Sequence, residues 1–89
     1  MTELAQQIHE RVENGAFDEA LRLAQASTTG RIYDPAVRKS VLYLTAELRS
    51  VCMGMASRKM DFGPEYDAIE NLLREANELT GQDTYGNFI

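Results

Sequence analysis

The chain has little of what an active site usually requires. It contains one cysteine, Cys52, one histidine, His9, no tryptophan and two prolines. A lone cysteine cannot close an internal disulfide, and with a single histidine no Cys/His zinc cage can form. His9 lies between Ile8 and Glu10, with no serine or cysteine pattern beside it to make a nucleophile and base. Glu10, Glu13, Glu70, Glu75 and Glu78 never meet a histidine at the Glu-x-x-His spacing of carboxylate metal sites. The six glycines are scattered singly, so no glycine-rich loop is present to cradle a phosphate. These absences predict a protein that is not an enzyme and that binds neither metal nor cofactor.

Two further absences bear on location. No apolar run approaches the roughly eighteen residues that a membrane span needs, so no membrane association is expected. The opening Met-Thr-Glu-Leu-Ala-Gln-Gln lacks the basic region and apolar core of a signal peptide. With one unpaired cysteine, this reads as a chain for a reducing, cytoplasmic setting.

What is present is an ordinary globular composition in 89 residues, 44% hydrophobic and 26% charged, enough for one small domain. The net charge of −5 is unevenly spread. Residues 1–30 carry −3 and residues 61–89 carry −6, whereas residues 31–60 carry +4 through Arg31, Arg38, Lys39, Arg49, Arg58 and Lys59 against Asp34 and Glu47. A basic middle segment between acidic neighbours is expected to pack among them or to meet an acidic partner.

Apolar residues recur at helical spacing between breaks at Asn14-Gly15, at residues 27–30, at Phe62-Gly63-Pro64 and at Thr80-Gly81. The first helix begins at a Thr2 cap, shows Leu4, Ile8 and Val12, and stops at Gly15. A short second helix from Phe17 to about Ser27 shows Ala20, Leu21 and Ala24, and must form a tight hairpin with the first. Asp34 and Pro35 are cap and first position of a long third helix reaching about Lys59 or Met60. Its Val37, Val41, Leu44, Leu48, Val51 and Met55 form a lengthwise seam, with Tyr43, Ala46, Ser50, Met53, Ser57 and Met60 on a second stripe roughly opposite. Pro64 opens a fourth helix with Tyr66, Ile69, Leu72, Leu73, Ala76 and Leu79 inward, ended by Gly81. The prediction is all-α: a compact four-helix bundle with a long central third helix, one domain over residues 1–81. The tail, residues 82–89, has no periodicity; Tyr85, Phe88 and Ile89 favour its folding back.

The stretch Asn14-Gly15-Ala16-Phe17-Asp18-Glu19-Ala20-Leu21 resembles the middle of a tetratricopeptide repeat: a turn glycine, an aromatic residue, an acidic pair and a crossing alanine. Gly63-Pro64-Glu65-Tyr66-Asp67-Ala68-Ile69 is a weaker echo, one residue out of step. The resemblance covers about twenty residues and the echo, and implies a helical surface that holds a peptide or helix of another protein.

The expected function is stoichiometric protein binding by an adaptor, chaperone or inhibitor. The residues expected to carry it are Arg31, Tyr33, Arg38 and Tyr43, around the start of helix three, and Ser50, Met53, Ser57 and Met60 on its second stripe. Tyr and Arg are frequent interface anchors, and Met adapts to irregular partners. The alternative is a structural subunit that pairs with its own copy through helix three in a symmetric dimer. A DNA-binding regulator is a weaker alternative. Arg38 and Lys39 open helix three, but residues 27–34 are too long for a helix-turn-helix turn, and the acidic ends repel phosphate. Nucleic acid is therefore not expected as the partner.

Overall fold

A computed structural model describes residues 3–28, 30–57 and 63–82, with residues 56 and 57 described by their backbone alone. It contains four α-helices: α1 (Glu3–Glu13), α2 (Phe17–Ala26), α3 (Pro35–Ser57) and α4 (Pro64–Thr80). Among the described residues there is no strand, and the architecture is the expected all-α four-helix bundle. Thr2, the expected first cap, residues 58–62 and tail residues 83–89 lie outside the described residues.

The helix ends follow the turn chemistry read from the sequence. Gly15 and Gly81 both take φ of 78°, the left-handed conformation that only glycine adopts without strain. The Ala16 N–H donates to the Arg11 carbonyl at 2.8 Å, and the Gln82 N–H to the Asn77 carbonyl at 2.8 Å, so each glycine closes its helix with a six-residue loop of hydrogen bonding. Gln82, the first residue of the expected tail, is buried and completes the α4 cap. At the other kind of end, Asp34 Oδ1 accepts from the N–H groups of Ala36 and Val37, at 3.0 and 3.1 Å. Asp34→Ala leaves both donors to water and is expected to cost about 1 kcal/mol, measured as a shift in the urea midpoint.

Ser40 Oγ donates to the Ala5 carbonyl at 2.8 Å, and the His9 ring stacks on Tyr43 with centroids 4.6 Å apart. Residue numbers rise together along this contact, so α1 and α3 are parallel neighbours. The Arg38 guanidinium donates to the Thr80 carbonyl at 2.8 Å, and the Ile32 N–H to the Leu79 carbonyl at 2.8 Å, which brings the start of α3 to the end of α4. The helices therefore run up, down, up, down. Every pair is in contact except α1 and α4, which do not approach each other among the described residues.

The core takes Ala5, Ile8 and Val12 from α1, Ala20, Leu21 and Ala24 from α2, and Leu73 and Ala76 from α4. From α3 it takes Val37, Val41, Leu44 and Leu48. Val51 and Met55 continue the seam but are only half-buried. The reason is length: α1 and α2 reach about 15 Å at 1.5 Å per residue, against about 34 Å for α3, so they cover only its first half.

Candidate protein interface

The residues expected to bind a partner fall into three groups. Arg31 and Tyr33 stand in the segment between α2 and α3, which Ile32 anchors by burying its side chain and bonding to Leu79. They border a cleft of about 400 Å³ lined by Leu4, Ile32 and Val37 as its apolar part and by Ser27, Thr28 and Asp34 as its polar part. Tyr33 is 82% exposed, the most exposed large hydrophobic side chain described. Arg31 and Thr28 also border a second cleft, of about 440 Å³, with Gln25, Glu75, Glu78 and Leu79. Arg31 thus divides the two, its guanidinium lying against the bare backbone of Gly81.

Arg38 and Tyr43 each make a contact within the fold. Arg38 caps the carbonyl end of α4, where a cation is favoured by the helix dipole. Tyr43 is half-buried under the His9 ring, and His9 in turn pairs with Glu13.

Ser50 and Met53 lie on the half of α3 beyond the reach of α1 and α2. Met53 is 69% exposed, and Ala46, Ser50 and Lys39 are exposed on the same side. The side chain of Ser57 and all of Met60 lie outside the described residues.

Sequence reasoning passed over Ile32, which has no periodic neighbours, and Leu4 as part of a cleft. It also passed over Arg49, which donates to the fully buried Thr45 hydroxyl at 3.3 Å while its buried Nε has no hydrogen-bond partner. Two ion pairs join described residues, Arg11 with Glu19 and Arg74 with Glu70, and His9 Nε2 lies against the Glu13 carboxylate.

Cys52 is half-buried on α3. Burial, and after it the charge of Glu70, raises its thiol above the ordinary value. The thiol stays protonated at neutral pH, which suits a packing role better than a nucleophilic one. Among the described residues, no cluster of three His, Cys, Asp or Glu could hold a metal ion, and no helix is long and apolar enough to cross a membrane.

Comparison with family models, curated proteins and solved structures gives no match. Functional inference rests on these surfaces.

Proposed function

We propose that the chain is a stoichiometric protein-binding module, an adaptor, chaperone or inhibitor, that receives an apolar side chain of another protein beside Tyr33. One observation carries this reading: a tyrosine 82% exposed at the border of a cleft with Leu4, Ile32 and Val37 in its lining. A tyrosine ring left in water costs apolar area that a partner can cover, and its hydroxyl can keep a hydrogen bond while that happens. Arg31 and Asp34 beside it offer one charge of each sign to orient the incoming segment. The segment is fixed at Ile32, so little ordering remains to oppose binding.

The resemblance of Asn14–Leu21 to a tetratricopeptide turn supports the same reading. The chain forms two helix hairpins, α1 with α2 and α3 with α4, packed side by side with α1 and α3 parallel. Stacked hairpins of this kind commonly present a surface to a peptide. The single free thiol suits a reducing compartment, and the reading places the module in the cytoplasm.

The test is capture of tagged chain from an extract of its source cells, with nuclease present. The reading expects one other protein in stoichiometric amount, with Tyr33→Ala lowering affinity at least about tenfold and leaving the helical signal unchanged. If no protein is retained at that ratio, or Tyr33→Ala retains it in full, the reading fails.

A further inference from the structure

The Tyr33 cleft does not end at Arg31. Thr28 and Arg31 line the second cleft as well, so the two form one groove with a guanidinium at its middle. Its halves differ in chemistry. The Tyr33 half has Leu4, Ile32 and Val37 for its apolar part, and there Arg31 and Asp34 balance in charge. The far half has Leu79 for its apolar part, and sets Glu75 and Glu78 against Arg31, which leaves negative charge in excess.

Glu75 and Glu78 are exposed, and neither is in an ion pair among the described residues. Helices α2 and α4 run in the same direction and both end at this half, with Gln25 and Glu78 in their last turns. Neither helix has a basic residue in its last turn. Arg38 answers the end of α4 from the α3 side, whereas the carboxyl end of α2 adds its partial negative charge to the two carboxylates. Glu78 itself stands where the helix dipole opposes a carboxylate, so its charge does not serve the stability of α4.

We propose that the groove takes an extended segment of another protein that carries an apolar side chain for the Tyr33 half and, beyond Arg31, a lysine or arginine for the Glu75 and Glu78 half, an inference that rests on the Tyr33 reading and adds the sign of the partner's charge. The aliphatic stem of such a side chain lies on Leu79 while its charged head reaches the carboxylates. Complementary charge at this half selects among apolar segments and speeds their encounter. The basic residues in the middle of the chain suggest an acidic partner, but at this groove the excess charge has the other sign.

The experiment is selection of random peptides on the tagged full chain, followed by fluorescence anisotropy with the peptides selected. The expected peptides share an apolar residue and a basic one. Glu75→Gln with Glu78→Gln lowers their affinity about fivefold, the worth of two exposed charge contacts, and removes most of its dependence on salt. The same variant unfolds at an unchanged or higher urea midpoint, because it takes a carboxylate from the end of α4. Should it fold poorly, replacing the basic residue of the peptide by Glu tests the same contact on the unaltered chain, and the expected loss is larger still. Peptides that need Tyr33 but show no preference for a basic residue, or bind the Gln variant equally well, overturn this inference and leave the Tyr33 reading standing. Selection of no peptide overturns the extended segment. Peptides whose binding is indifferent to Tyr33→Ala overturn the Tyr33 reading, and this inference falls with it.

Discussion

Leu44→Ala is expected to lower the free energy of unfolding by about 3 to 4 kcal/mol, a large loss for so small a core. Leu44 is fully buried midway along the covered half of α3, which touches all three other helices. Truncation removes apolar area from water-free surroundings and leaves a cavity that a small core on a rigid helix cannot close. A domain of this length has roughly 5 to 10 kcal/mol to lose, so the urea midpoint should fall by a third or more with its slope unchanged. Val51→Ala, on the same seam but half-buried, should cost about 1 kcal/mol, since little of its area leaves water on folding. Equal losses at the two positions would show that the far half of α3 is as closed as the near half, contrary to the burial pattern.

That contrast also marks where the sequence stops being legible. The helix ends were readable because each rests on a local device: Asp34 and Pro35, Pro64, and the left-handed Gly15 and Gly81. The seam of α3 was readable as a period, but a period says nothing of how far its partners extend. Burial ends at Leu48 because α1 and α2 are short, a comparison between elements rather than a feature of any one. Ile32 was invisible for a related reason. It sits between Gly30 and Asp34 with no apolar neighbour at helical spacing, and its burial depends on the end of α4, far along the chain. The same holds for the candidate binding residues. Arg38 and Tyr43 were chosen as interface anchors by type, and the structure adds that each also has an internal contact, with the Thr80 carbonyl and the His9 ring. Tyr33 and Met53 remain in water, and residue type alone could not separate the two pairs.

Gly81→Val should be the next most damaging change argued here, at about 2 to 3 kcal/mol, from two causes that can be measured apart. The first is backbone strain. A φ of 78° forces any side chain against the following carbonyl, and a β-branched one suffers most, at about 1 to 2 kcal/mol. Gly15→Val should show this cost alone, because it has the same φ and nothing lies within 4 Å of where its Cβ would stand. The second cause is Arg31. At Gly81 a Cβ would meet the guanidinium at 3.1 to 3.2 Å, and the position itself is buried. Arg31 must give way by at least a few tenths of an ångström, and a cation near the C-terminus of a helix is worth about 0.3 to 1 kcal/mol. The two causes separate in a double-mutant cycle. With Arg31→Ala already present, Gly81→Val should cost no more than Gly15→Val does. If the cost stays the same with and without Arg31, the guanidinium has no part in holding the turn. The segment bearing Tyr33 would then depend on Ile32 and its bond to Leu79 alone.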